Sequence, residues 1–137
     1  MALHSHQQQI VELLQRRGER LTKPRLAVLT VLCQQRKPVS VKDLEQYLPH
    51  INIVTLYRIV EHFISLGVVT GFNHTSNERV FEVSDPFHPH HHHTICRVCG
   101  TMRDVACKLS IPKLLNFTPE SHSVVIYGRC KTCHVSS

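Results

Sequence analysis

Between His90 and Gly100 the chain reads His90-His91-His92-His93-Thr94-Ile95-Cys96-Arg97-Val98-Cys99-Gly100, and a second Cys-x-x-Cys, Cys130 and Cys133, lies near its end. Imidazole and thiolate are the ligands that zinc and related transition metals prefer. Two sulfurs three residues apart on a tight turn can grip one ion, and Gly100 is the small residue such a turn tolerates. Two grips make a tetrahedral four-sulfur site from Cys96, Cys99, Cys130 and Cys133. Four thiolates leave no open coordination position, so the expected ion is structural zinc and not a catalytic one. The insertion between the pairs exceeds that of a minimal zinc ribbon, so a strand or helix must lie between them. The rival reading of these cysteines is two redox pairs, or plain buried thiols.

A chain of 137 residues forms one domain, or two small ones in the size range where a structural metal commonly supplements burial. The formal net charge of +6 and a pI near 9.2 favour an anionic partner such as nucleic acid. Arg16, Arg17, Arg20, Lys23 and Arg25 concentrate that charge, opposed only by Glu19. Six cysteines could instead mark a secreted disulfide scaffold. Residues 1–9 carry no signal-like apolar stretch, and the only long apolar run, Leu26 to Cys33, is too short to span a membrane. A reducing, cytoplasmic setting follows, with Cys33 and Cys107 outside the paired motifs.

The elements that position these groups are legible in part. Apolar positions Ile10, Val11, Leu13 and Leu14 predict an amphipathic helix from about His6 to Arg17, ended by Gly18. Thr22 as a capping hydroxyl and Pro24 in the first turn begin a helix to Gln35. Ser40 caps a helix from Val41 to Leu48, and Pro49 stops it. The next helix runs from about Asn52 to Leu66, with Ile53, Leu56, Ile59, Val60 and Phe63 buried and Gly67 at its end. The short turn between the last two is helix-turn-helix grammar. Strands at 68–72 and 79–83 around a polar tip then make a wing. Ser84 to Pro89 reads as a hinge. Beyond it, strands are expected at 91–95, 101–105 and 124–127, with a short helix between Ser110 and Phe117.

On the helix from Asn52 the outward set is Asn52, Thr55, Tyr57 and Arg58. Thr55 and Tyr57 can donate to phosphates, Tyr57 can touch thymine methyls, and Arg58 can pair with guanine or phosphate. Arg20, Thr22, Lys23 and Arg25 would bind the flanking backbone. The rival is a plain helical hairpin with a solvated charged face.

Arg20-Leu21-Thr22-Lys23-Pro24-Arg25, Val39-Ser40-Val41-Lys42-Asp43-Leu44, Thr55-Leu56-Tyr57-Arg58, the histidine run with Cys96-x-x-Cys99-Gly100, and Tyr127-Gly128-Arg129-Cys130-x-x-Cys133 together resemble the ferric uptake regulator family. The order covers the chain from about Gly18 to Cys133. The resemblance implies an α+β protein with a winged-helix DNA-binding domain (1–83), a hinge (84–89) and a small α/β dimerisation domain holding the four-cysteine zinc (90–137). It implies a cytoplasmic homodimer that, loaded with a second divalent metal (iron, zinc or manganese), represses metal-homeostasis genes from a palindromic double-stranded operator.

By position, Glu82, His91 and His93 match the family's sensory ligands, and strand alternation puts His91 and His93 on one face. Pro38 stands where the family often adds a histidine. Thr70 and Ser84 replace the acidic residue and cysteine that zinc-sensing relatives use. Asp104, or Asp85 as a substitute, could complete the set, since Asp104 stands where peroxide-sensing relatives place a carboxylate. A third site would use the other strand face, His90 and His92, with His122. Its expected acidic ligand is not evident, and solvated histidines are the rival. His88, His4 and His6 are read as surface residues.

Neither membrane association nor a small-molecule substrate is expected. No His-Glu-x-x-His or comparable pairing supports a zinc hydrolase. The remaining alternatives are a peroxide-sensing repressor of the same family and a zinc-ribbon interaction or storage module without DNA binding.

Overall fold

The computed structural model describes residues 2–35, 37–74, 77–84, 91–110, 112–119 and 122–135, with side chains for all of these except 2–5 and 135. Asp85, His88, His90 and most of the expected hinge lie outside the described residues, as does the His4 side chain. The chain divides into two compact units, residues 1–86 and 87–137.

In the first unit α1 (Ala2–Arg16) and α2 (Lys23–Gln34) are followed by β1 (Val39–Ser40), α3 (Val41–Tyr47), α4 (Ile53–Ser65), β2 (Val69–Asn73) and β3 (Arg79–Val83). Gly18, at φ +80°, turns the chain out of α1, and Gly67, at φ +77°, does the same after α4. Ser40 caps α3 through a reciprocal pair of bonds: its hydroxyl accepts from the Asp43 amide, and the Asp43 carboxylate accepts from the Ser40 amide. Asn52 caps α4, its side-chain oxygen accepting from the Val54 amide at 2.8 Å. Thr22 occupies the N-cap of α2 but makes no side-chain cap bond, contrary to expectation.

The helices bury one contiguous cluster that includes Ile10, Leu14, Val28, Leu29, Leu44, Leu56, Val60, Phe63 and Phe81. Cys33 packs in the same cluster, which gives one of the two cysteines outside the Cys-x-x-Cys motifs a place in the core. The wing is antiparallel in the order β1-β3-β2. The two-residue β1, too short to leave a sequence period, pairs Val39 with Phe81 and Ser40 with Val80. Ile53 is not buried as expected. It stands in the first turn of α4, 39 % exposed, whereas Ile51 in the preceding turn is buried in the core cluster.

The second unit is a three-stranded sheet in the order β5-β4-β6, from β4 (His91–Cys96), β5 (Met102–Ala106) and β6 (Val125–Gly128), followed by α5 (Lys131–Val135). Strands β4 and β5 run antiparallel, β4 and β6 parallel. The helix expected between Ser110 and Phe117 is replaced by a turn closed by a Leu114–Phe117 bridge, with Asn116 at φ 58°. Pro112 would be tolerated in the first turn of such a helix, but the left-handed Asn116 breaks it. Among the described residues of this unit only Ile95 and Cys96 are buried apolar side chains, joined by the buried imidazoles of His92 and His93.

Truncating the first unit's supports should be graded. Ser40→Ala is expected to lower its stability by about 1 kcal/mol, whereas Leu56→Ala, emptying a fully buried position, should cost about 2–5 kcal/mol. Urea titration of the two variants of the full chain checks the order.

Candidate metal centres and nucleic-acid interface

Cys96 ends β4, and the chain then makes a knuckle: the Gly100 amide donates to the Cys96 carbonyl at 2.9 Å and the Cys96 amide to the Thr101 carbonyl at 3.0 Å. Gly100 takes φ +76°, which a side chain would strain. The second grip is built differently. Cys133 lies on α5 and Cys130 just before it, and the His134 amide donates to the Cys130 carbonyl at 2.9 Å.

The four Sγ atoms all lie within 4.8 Å of one another, with Cys99 and Cys130 at 3.8 Å. Zinc–sulfur bonds of about 2.3 Å in a tetrahedron require sulfurs about 3.8 Å apart, so the donor set fits zinc. The local field already separates the thiols. The Cys99 amide, donating to Cys96 Sγ at 3.5 Å, and then the Cys130 amide hold the Cys96 thiol down at about 5. Thr101, whose hydroxyl is 3.0 Å from Cys99 Sγ, lowers Cys99. Cys133 is pushed up to about 12, first because its thiol is hydrogen-bonded to Cys130 and then by burial.

Strand alternation sorts the histidines as expected. His91 and His93 share one face, their rings edge to face at 5.0 Å. Asp104 sits directly opposite His93 across the β4–β5 ladder, its carboxylate 3.1 Å from His93 Nδ1 and 3.9 Å from His91 Nε2. Glu82 lies on β3 of the first unit, paired in register with Thr70. On the other face, His92 and His122 bring their rings to 5.0 Å. The structure adds a residue the sequence left without a role: Cys107, just after β5, whose Sγ is 3.3 Å from His122 Nε2. Only the pairing of β4 with both neighbours reveals it, because Cys107 and His122 are far from His92 in sequence.

In the first unit Thr55, Tyr57 and Arg58 all lie in the first turns of α4, with Tyr57 and Arg58 exposed. Asn52 spends its side-chain oxygen on the cap, leaving the amide group to donate. Ile53, Val54 and Tyr57 are 39 %, 53 % and 49 % exposed, an apolar tip on an otherwise polar helix end. A groove of about 510 Å³ between this helix and the wing is lined by Ser40, Val41, Lys42, Tyr57, Asn77, Glu78 and Arg79. Of the basic cluster, Arg20 and Lys23 are exposed. Arg25 donates to the Arg20 carbonyl at 2.9 Å, so it braces the turn before α2, and Arg17 donates to the Leu66 carbonyl at 2.8 Å, closing the end of α4.

A winged helix with an exposed hydrogen-bonding helix, in one chain with a unit built around thiolates and imidazoles, defines a metal-responsive DNA-binding regulator. The profile of the Ferric uptake regulator family matches residues 16–127. The ferric uptake regulation protein of Escherichia coli K12 is 33% identical over 134 residues, covering 85% of each chain. The crystal structure of the Vibrio cholerae ferric uptake regulator is 28% identical, with a TM-score of 0.65 over 87% of this chain and 98% of that one. The fold is shared with the Pseudomonas aeruginosa ferric uptake regulator solved with manganese, at TM-score 0.71, 24% identity, and 88% and 96% coverage. The chain belongs to the ferric uptake regulator family, whose members regulate transcription. Among its described residues no helix is long and apolar enough to cross a membrane.

Zinc uptake should release protons. At pH 7 Cys96 is already a thiolate, whereas Cys133, held near 12, must lose its proton to ligate. Affinity is therefore expected to rise with pH through neutrality. Calorimetry in buffers of different ionisation enthalpy should show proton release on binding; a buffer-independent heat would contradict this ordering of the thiols.

Proposed function

We propose that the chain works as a cytoplasmic homodimeric repressor, not an enzyme, that binds a palindromic operator when a second divalent cation occupies its sensory ligands. Residues 1–83 serve as the DNA-binding domain, 84–89 as the hinge and 90–137 as the metal-binding dimerisation domain. The carrying observation is the convergence of His91, His93 and Asp104 on one face of β4–β5, a strand that begins soon after the wing strand ends at Val83. Two imidazoles and a carboxylate suit iron, manganese or zinc, and Glu82 is the further ligand that the family resemblance supplies. When bound, the cation supplies a positive charge and a crosslink among these ligands.

The protein groups do the rest. The edge-to-face contact of the two rings and the Asp104 carboxylate beside them gather these donors before any ligand arrives, so less entropy is lost on binding. The ligand drives the response to the extent that it binds the DNA-competent arrangement more tightly than others. Arg58, Tyr57 and Thr55 read the major groove, with Asn52 donating at the helix tip, while Arg20, Thr22 and Lys23 hold the backbone and Arg25 braces that turn. Exposed Val54 and Tyr57 suit thymine methyls. Dimerisation through the second unit is supported by its uncovered apolar side chains, among them Leu115 at 92 % and Phe117 at 64 % exposure, and by two sheet edges, β5 and β6, with no further strand paired to them among the described residues.

Operator binding by protein carrying zinc only at its cysteines should strengthen on adding ferrous or manganous ion, and Asp104→Ala or His93→Ala should abolish that gain. Unchanged affinity would defeat the sensory reading and leave DNA binding intact. Arg58→Ala should weaken specific binding by about 1–3 kcal/mol, measured by fluorescence anisotropy. The position of Asp104 also favours a second reading, peroxide sensing through bound ferrous ion. A gain of one oxygen on His91 or His93 after peroxide treatment of the iron-loaded protein would support it.

A further inference from the structure

One face of the wing lacks a side chain where a charged one needs the space. Gly71 on β2 stands directly across from Phe81 on β3. A Cβ at Gly71 would meet Phe81 Cδ1 and Cε1 at 3.1 Å and Arg79 Nε at 3.2 Å, so glycine permits the close approach. Arg79 and Phe81 are two residues apart on one strand and share a face. The Arg79 guanidinium lies over the Phe81 ring, 5.2 Å from its centroid, and Phe81 is itself buried in the core cluster.

From that position Arg79 donates through Nη1 to the Glu61 carboxylate on α4. Glu61 is four residues beyond Tyr57 and three beyond Arg58, one helical turn from side chains read as meeting DNA. The groove between α4 and the wing has Tyr57 on one side and Asn77, Glu78 and Arg79 on the other. An ion pair therefore ties the wing strand to the helix beside that groove. Its partners are about half exposed, Arg79 at 47 % and Glu61 at 50 %, so the pair adds little to the stability of the unit.

We infer that Arg79 is a positioning residue for operator recognition. With Glu61 and Gly71 it sets the wing at the distance from α4 that admits one sugar–phosphate strand, and it does not itself neutralise a phosphate. This rests on the reading of α4 as the operator-reading helix and goes beyond it by taking a half-exposed arginine of the groove out of the phosphate-binding set. Two charges argue for that assignment. The Glu61 carboxylate already compensates the guanidinium, and Glu78, next to Arg79 in the same groove, opposes the approach of an anion. Lys42, across the groove on α3, is the basic side chain left to meet the backbone. Breaking the pair can shift the wing only by the free energy the pair and the ring contact supply, which bounds the loss of affinity at about three- to tenfold.

The test uses the full chain loaded with zinc and manganous ion, a duplex that it selects from a random-sequence pool, and a scrambled duplex of equal length. Arg79→Gln should weaken binding to the selected duplex about three- to tenfold, with the slope of log affinity against log salt unchanged. A lost phosphate contact would instead make that slope shallower by about 0.9. Glu61→Gln separates the two roles by sign. Removing a negative charge near DNA strengthens binding if charge alone matters. If Glu61 holds Arg79, affinity for the selected duplex falls relative to the scrambled one, and adding Arg79→Gln weakens it no further. Gly71→Ala, which displaces Arg79 without altering any charge, should reproduce the Arg79→Gln loss. Urea midpoints close to that of the unsubstituted protein separate these losses from unfolding. A shallower salt slope in Arg79→Gln, or tighter binding of the selected duplex by Glu61→Gln, overturns the inference. If no duplex is selected, or Arg58→Ala binds it unchanged, the reading of α4 itself fails. A loss in Arg58→Ala with none in Glu61→Gln sinks the role of Arg79 alone.

Discussion

Four sulfur atoms within 4.8 Å of one another cannot all carry charge unless a cation sits among them. The rest of the second unit depends on that constraint. Its described residues bury only two apolar side chains, Ile95 and Cys96, and one of those is itself a ligand. A three-stranded sheet with so little to bury does not recover the entropy of its ordered backbone from the hydrophobic effect. Cross-linking the end of β4 to the start of α5 fixes two segments that are distant in the chain, and the free energy of metal binding becomes folding free energy. The amides of the knuckle prepare one thiolate in advance, and the crowding holds back another.

The first unit rests on the opposite principle. A continuous apolar cluster of four helices and the wing holds it together, with caps at Ser40 and Asn52 setting where α3 and α4 begin. The Asn52 cap has a functional consequence. It fixes the start of α4 and so leaves Val54, Tyr57 and Arg58 standing out in the first turns, free of the core. Ile53 looked like a core position by spacing alone. It is exposed in the first turn, while Ile51 in the turn before the helix is the one that joins the core.

What could be read in advance followed from how local the signal was. Helices with a full amphipathic period, the hairpin of the wing and both Cys-x-x-Cys grips are local patterns, and all were legible. The two-residue β1, the five-residue α5 and the turn at Leu114–Phe117 are too short for a period and are fixed by pairing or by one left-handed residue. Alternation placed His91 and His93 together without any coordinates, because period 2 is a property of the strand itself. It could not supply Cys107, which depends on β5 and β6 flanking β4 on opposite sides. Arg17 and Arg25 were likewise grouped with the other basic residues, although each donates to a backbone carbonyl of its own unit.

The same topology explains why a run of consecutive histidines is useful. On a helix, neighbouring residues point about 100° apart and would spread around the axis. On a central strand they are divided between two faces, and each face meets whatever the flanking strands offer. Here β5 supplies Asp104 to one side of β4, while its continuation supplies Cys107 to the other. One strand therefore sets two different groups of donor side chains on its two faces, one meeting a carboxylate and the other a thiol.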